Sequence, residues 1–310
     1  MTEIKRIAKV GVGVMGCNVA WACVVNGLEV NLYDQSEAQV KAAHERLKSW
    51  LFDGSLSEDE AREALMRVHP CRSLEEALSN VELAYESVYE DLEIKQKVHA
   101  EIGRLAAPHV MQGSNASSLT CSPLAEASGR PDKFFNMNFT DPHSGEELVE
   151  IMWNPKTDES TKKAAIQWAK SIRMVPVVCK EELMGYALNR IWRAVKKEAL
   201  YVADTGAASP ADIDRAWMLI FGTPYGPFGL MDRIGLDSVQ RIEMRYHDAS
   251  GDPSDNPPKI LNDLVAAGHL GEKSGKGFYE WPNPTYTQEG WLRKRPPWDD
   301  DADAENQEEG

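Results

Sequence analysis

The stretch from Ile7 to Asp34 constrains this chain more than any other. A short apolar run, Ile7 to Val10, leads into Gly11-Val12-Gly13-Val14-Met15-Gly16, and a helical pattern follows from Met15 to Asn26. A second run, Val30 to Asp34, ends on a carboxylate. In such a strand–loop–helix turn each glycine has a separate purpose. Gly11 permits the tight bend, Gly13 lets the backbone approach a pyrophosphate, and Gly16 lets the helix pack closely on the strand. The helix start, Val14 and Met15, offers unbonded N–H groups and a positive dipole end to the phosphates. Asp34 lies 21 residues after Gly13, close to the ~20 expected of a carboxylate that binds the adenosine ribose hydroxyls. That carboxylate would repel a 2′-phosphate, so the cofactor expected is NAD.

Strand-like and helix-like segments then alternate. Val81 to Glu86, His109 to Asn115, Phe134 to Phe139, Leu148 to Trp153 and Met174 to Cys179 read as strands. Glu37 to Leu51, Glu58 to Met66 and Leu92 to Ala106 read as helices. Alternation of this kind predicts a largely parallel sheet covered on both faces. Shorter connections after Pro108 predict a partly antiparallel far edge. Beyond Lys180 the texture is helical. Glu181 to Thr205 reads as one long helix, and Ser209-Pro210 opens another, with Ser209 as N-cap and Pro210 at the first helical position. The expected organisation is an α/β Rossmann-type domain over 1–180, an all-α domain over 181–298, and a disordered acidic tail over 299–310. The Pro- and aromatic-rich segment Trp281 to Trp298 reads as an irregular surface strap.

Charge and cysteine content narrow the partners. The formal net charge is −15. Seven acidic residues and no basic ones sit in 299–310, so the rest of the chain carries about half of it. Phosphate neutralisation needs an excess of Lys and Arg, so neither nucleic acid nor an anionic membrane is an expected partner. The longest apolar run, Val19 to Val25, has seven residues, far short of the ~20 that span a bilayer, and no signal-peptide pattern opens the chain. Five scattered cysteines (Cys17, Cys23, Cys71, Cys121 and Cys179) form no C-x-x-C pair, which argues against disulfides and a Cys-based zinc site. A cytoplasmic protein without a metal is expected, with the thiols as core fillers.

Seven motifs in order resemble the 3-hydroxyacyl-CoA dehydrogenase family over about residues 5–282. They are the glycine loop; Glu86-Ser-Val-Tyr-Glu90-Asp-Leu-Glu-Ile-Lys95; Ser114-Asn115-Ala116-Ser117-Ser118-Leu119; Phe134 to Ile151; Gly185-Tyr186-Ala187-Leu188-Asn189-Arg190; Gly226-Pro227-Phe228 with Asp232; and Gly275-Lys276-Gly277-Phe278-Tyr279. The resemblance implies hydride transfer between a 3-hydroxy or 3-keto compound and nicotinamide. It implies a helical domain like the C-terminal one of 6-phosphogluconate dehydrogenase, and a homodimer formed through it. It places Glu90, Lys95 and Asn115 at the cofactor, Ser117 and Asn189 at the substrate oxygen, and Glu150 as the partner of a catalytic His.

That His has no counterpart here. Counting back twelve residues from Glu150, the family's spacing, reaches Asn138, and an amide accepts no proton at ordinary pH. Three readings stand open. Asn138 donates an N–H to the substrate oxygen while Glu150 or a water supplies the proton; or His143, with Asp141 as a weaker candidate of the same kind, reaches back as base; or hydride chemistry is lost and a silent NAD-binding protein remains. Imine reduction, or a substrate carrying its own base, is a further possibility. Plainer roles exist for each residue: Ser117 as a helix cap, Asn189 paired with Arg190, Glu150 as an outward strand residue and His143 as a surface loop residue. The short segment Gly54 to Glu60 resembles the branch with L-gulonate 3-dehydrogenase, lambda-crystallin and the diketoreductases. A compact hydroxy or keto acid is therefore expected rather than a CoA thioester, its carboxylate met by Arg190 or Arg193.

Overall fold

The computed structural model describes residues 3–293. The acidic segment 299–310 lies outside them. Contacts divide the chain into two compact units that part between Arg190 and Ile191.

The first unit is an eight-stranded sheet. Its strands are β1 (Arg6–Val10), β2 (Glu29–Tyr33), β3 (Val68–Pro70), β4 (Leu83–Glu86), β5 (Met111–Ser114), β6 (Phe134–Phe139), β7 (Leu148–Trp153) and β8 (Val175–Cys179). The helices between them are α1 (Val14–Val25), α2 (Glu37–Leu51), α3 (Glu58–Met66), α4 (Leu74–Ala77), α5 (Leu92–Leu105), α6 (Cys121–Ala127) and α7 (Glu159–Ser171). The strand order is β3-β2-β1-β4-β5-β6-β7-β8. The chain leaves β1 on one side for β2 and β3, then returns to its other side for β4. Such a switch point opens a crevice at the carboxyl ends of β1 and β4. β1 to β6 pair in parallel, whereas β7 runs antiparallel to β6 and β8 follows β7. The antiparallel far edge expected from the short connections is therefore present.

Several ends are set by local chemistry. Ser36, Ser57, Ser73, Asp91 and Asp158 cap α2, α3, α4, α5 and α7 with side-chain oxygens, and Ser57 with Glu60 closes a full capping box. Ile7, Val30, Leu32, Leu83, Phe135 and Ile151 are fully buried between the helical layers, as a doubly covered sheet requires. Four elements go beyond the sequence expectation: the edge strand β3, and helices α4, α6 and α7.

In the second unit come the remainder of α8 (Tyr186–Asp204), then α9 (Pro210–Phe221), α10 (Pro227–Ile234), α11 (Leu236–Ser250) and α12 (Lys259–Ala266). The expected long helix from Glu181 begins five residues later, after the turn at Gly185, φ +82°. Ser209 caps α9 and Pro210 occupies its first turn, as the sequence suggests. The expected surface strap is corrected in part: Tyr286 and Trp291 are buried in this unit's core beside Phe228, Met231, Leu261 and Tyr279. Asp232 anchors the approach to that segment, accepting from Phe278 N, Tyr279 N and Trp281 Nε1. No helix among the described residues is long and apolar enough to cross a membrane. Cys17, Cys23, Cys71 and Cys121 are buried free thiols and Cys179 is half-buried.

Candidate active site

The glycine loop forms the turn that its spacing implies. Gly11 has φ +81°, and a Cβ there would lie 2.7 Å from the backbone of Ser87 and Val88. A Cβ on Gly16 would lie 2.2 Å from Gly11 O. Gly13, by contrast, faces open space. It is the N-cap of α1 and no side chain caps that helix, so the first N–H groups, from Val14 on, have no intrahelical partner. Val14 is exposed, while Met15 packs against the core. A cradle that is closed behind and open in front, with unused donors, fits a dinucleotide pyrophosphate. Asp34 follows β2 directly and its carboxylate accepts from Val12 N at 3.2 Å and Ser36 N at 3.1 Å. It is thereby fixed against the loop it serves. Beside Gly11, Ser87 Oγ is buried with no hydrogen-bond partner among the described residues, a polar atom that a bound ligand can satisfy.

Behind this crevice lies a buried charged network. Glu86, at the end of β4, is fully buried. Its carboxylate accepts from Lys95 Nζ at 2.8 Å, from Ser114 Oγ at 2.6 Å and from Val88 N, and His99 Nε2 lies at 3.3 Å. Burial opposes its charge, but the His99 hydrogen bond and the Lys95 charge prevail and hold the carboxyl at about 2. Lys95 is buried and also bonds Val88 O and pairs with Glu90 at 3.3 Å. Glu90 accepts from Ser117 N and Ser118 N, both at 2.8 Å. Thus Lys95, expected at the cofactor, is sunk beneath Glu90, and Glu90 in turn fastens the Ser117 turn. Asn115 Oδ1 accepts from Tyr85 OH at 3.0 Å and Phe139 N at 3.2 Å, which binds β4, β5 and β6 together.

Reversal of β7 brings the remaining residues to the same end of the sheet. Asn138, near the end of β6, stands directly opposite Glu150, near the start of β7. Side chains two apart on a strand share a face, and Asn136 on this face donates to Leu119 O at 3.1 Å. Asn138 is one pleat further toward the Ser117 turn. It is half-buried and its amide makes no hydrogen bond to a described residue. Glu150 is 2% exposed. One oxygen, Oε1, accepts from Ala187 N at 3.0 Å and Leu188 N at 2.8 Å, the first turn of α8. Hence this turn stays with the first unit. Tyr186, at φ +54°, donates its buried OH to Ala116 O at 2.9 Å and so ties the same helix start to the Ser117 turn. Asn189, half-buried in that turn, has no described hydrogen-bond partner.

His143 is committed elsewhere. Its ring stacks on Trp50 with centroids 4.3 Å apart and meets the edge of Trp21. Its Nε2 lies 3.3 Å from Asp53, and its backbone N–H donates to Asn18. These contacts fasten it to α1 and the end of α2, and the structure does not bring it to Asn138. Asp141 caps its own short turn. Arg193 is held by Glu243 and Asp255 in the second unit, which leaves Arg190 as the exposed guanidinium of the two. The sequence reading missed Glu86 with His99, Ser87 and Tyr186. It also missed Lys9, which is fully buried in β1; the signal was a lysine inside an otherwise apolar run.

Comparison with known proteins agrees with the fold. A family model described as "3-hydroxyacyl-CoA dehydrogenase, NAD binding domain" matches residues 6–182, and one described as "3-hydroxyacyl-CoA dehydrogenase, C-terminal domain" matches residues 185–281. A probable 3-hydroxybutyryl-CoA dehydrogenase of Bacillus subtilis is 31% identical over 91% of this chain and 99% of its own length. The mitochondrial hydroxyacyl-coenzyme A dehydrogenase of Homo sapiens is 30% identical over 90% of this chain and 91% of its own. Among solved structures, a diketoreductase acting on dicarbonyl compounds superposes with a TM-score of 0.83 at 28% identity, covering 91% of this chain and all of that one.

Proposed function

The chain belongs to the 3-hydroxyacyl-CoA dehydrogenase family, with that family's NAD-binding domain, and we propose that it interconverts a 3-hydroxy and a 3-keto acid with Asn138 in the place of a catalytic base. The observation that carries this is the facing pair: an amide with no described partner at Asn138, and a buried carboxylate at Glu150 with one oxygen committed to α8. The bound cofactor supplies or receives the hydride. Asn138 Nδ2 and Ser117 Oγ donate to the substrate oxygen as it gains negative charge in the reduction. Glu150, through its other oxygen or a water, holds the proton that this oxygen takes up. Asn189 steadies the substrate. At the cofactor, Gly11, Gly13, Val14, Met15 and Gly16 meet the pyrophosphate, Asp34 the adenosine ribose, and Glu90 and Asn115 the nicotinamide half, with Lys95 supporting Glu90.

A free acid is the favoured substrate. The family relatives named above carry coenzyme A compounds in their names, but here the first turn of α3 presents Glu58, Asp59 and Glu60, a poor surface for a polyphosphate. A diketoreductase and a 3-hydroxybutyryl-CoA dehydrogenase superpose equally well, with TM-scores of 0.83, so the choice rests on the acidic turn. We also read the exposed Leu219, Ile220 and Phe221 of α9 as part of a homodimer face, and the free cysteines as suited to a reducing, cytoplasmic setting.

The test mixes the protein and NADH with a panel of keto acids, keto esters and acetoacetyl-CoA and follows NADH absorbance. Turnover of a keto acid or ester is expected. Turnover of the thioester alone overturns the substrate choice, and binding of NADH without any turnover favours the silent NAD-binding reading.

A further inference from the structure

Lys9 lies behind the glycine loop, next to Gly16. It is 0% exposed on β1, and its Cε lies 3.5 Å from where a Cβ on Gly16 would be. Nζ donates to Val10 O at 3.3 Å and Tyr85 O at 3.1 Å, and stands 5.1 Å from the centre of the Tyr85 ring. No carboxylate lies within ion-pair distance of it among the described residues. A neutral amine has two N–H groups, and two carbonyls receive them. An ammonium has a third, together with a charge that burial penalises.

We propose that Lys9 is the buried counter-charge of the dinucleotide site: its Nζ takes up a proton when the pyrophosphate docks on the Gly11–Gly16 loop, so cofactor binding and protonation of Lys9 favour each other. The groups that face Lys9 allow this. From β4 come Tyr85 and the anionic Glu86; from α5 comes Lys95; from α1 come Cys17 and Cys23, whose thiols burial pushes up and keeps neutral. β2 places Leu32 in register with it. One shell further out, His99 backs Glu86 and Arg46 meets the Cys17 sulfur at 3.6 Å. Burial pulls Lys9 down to about 7, Glu86 resists that fall and Lys95 adds to it. Two phosphate charges arriving on the far side of one loop act as Glu86 does, across a dry interior where Coulomb interactions are weakly screened. The dinucleotide has no group of its own that titrates near neutrality, so the proton must go to the protein.

The experiment is calorimetric titration of the full chain with NADH at about pH 7.5 in buffers of different ionisation enthalpy. The expected result is net uptake of a fraction of a proton, with Kd rising as pH goes from about 6.5 to 8.5, by at most about tenfold per pH unit for one group. In Lys9→Met, which keeps the length of the side chain, uptake disappears and Kd becomes flat over that range. No uptake by the wild type, or equal uptake by the variant, overturns the proposal. A second measurement does not depend on the variant folding. In protein labelled at lysine Cε, one resonance should titrate near neutrality and move to higher pH when NADH is added. If every lysine titrates above pH 9, the proposal falls.

Discussion

Asn138 and Glu150 face each other across the antiparallel pair β6 and β7, yet the Glu150 carboxylate gives one oxygen to the N–H groups of Ala187 and Leu188. In the proposed mechanism the same carboxylate serves both a helix start and the reacting oxygen. Substitutions on the two strands should separate those duties.

Removing the amide tests the electrophile. Asn138→Ala should lower kcat for keto-acid reduction by about 100-fold, the effect of losing one donor to a developing oxyanion, with a smaller change in KM. Asn138→His adds a proton acceptor opposite Glu150. Oxidation of the hydroxy acid should then acquire a pH inflection near about 6.5, which the wild type lacks. Steady-state rates in both directions check this. If Asn138→Ala retains full activity while His143→Ala abolishes it, the base is His143.

Glu150→Ala leaves the Ala187 and Leu188 N–H groups without their acceptor in a buried setting. The expected cost is about 1–3 kcal/mol, read as a lower Tm and denaturation midpoint. Glu150→Gln keeps an oxygen for those donors but cannot hold a carboxyl proton. It should melt near the wild type and still lose most of its kcat. Equal loss of stability in both variants would show that the charge, not the acceptor, holds α8.

Burial of Lys9 has a consequence for stability as well as for binding. In the unfolded chain a lysine holds its proton up to about 10.4, whereas in the fold burial pulls Lys9 down to about 7. Between those two values the unfolded state binds more protons, so stability rises with pH through this window and the penalty is greatest below it. Lys9→Met should therefore stabilise the protein at pH 6 to 7 by on the order of a few kcal/mol. The advantage should shrink as pH approaches 10. Urea denaturation of both proteins at several pH values measures the difference.

The features legible in the sequence were those written in local spacing. The glycine loop, the Asp34 distance and the twelve-residue spacing of Asn138 and Glu150 all correspond to contacts or register in the structure. Features that depend on distant partners were not legible. Tyr286 and Trp291 look like parts of a Pro-rich surface strap, because nothing nearby in the chain says that Phe228 and Met231 need covering. β3 has three residues and exists through pairing with β2. His143 could be counted as near Asn138 in the chain, but stacking on Trp50 and the Asp53 contact decide where its ring lies. Lys9 was hidden for the opposite reason: one polar residue does not break an apolar pattern.

In the proposed site cofactor choice falls to Asp34, whose two oxygens are already oriented by Val12 N and Ser36 N. An oriented carboxylate can receive both ribose hydroxyls and repels a 2′-phosphate. Asp34→Arg should weaken NADH binding and strengthen NADPH binding, with the preference in kcat/KM changing by about 100-fold or more, since attraction replaces repulsion at one point. Asp34→Asn keeps the size and one acceptor. It should weaken NADH binding by about 10-fold with a much smaller gain for NADPH. Titrating each variant with both dinucleotides by fluorescence gives the two affinities directly. Unchanged NADH affinity in both variants would mean that Asp34 serves the loop alone, through its bond to Val12 N, and that the ribose hydroxyls are held by other groups.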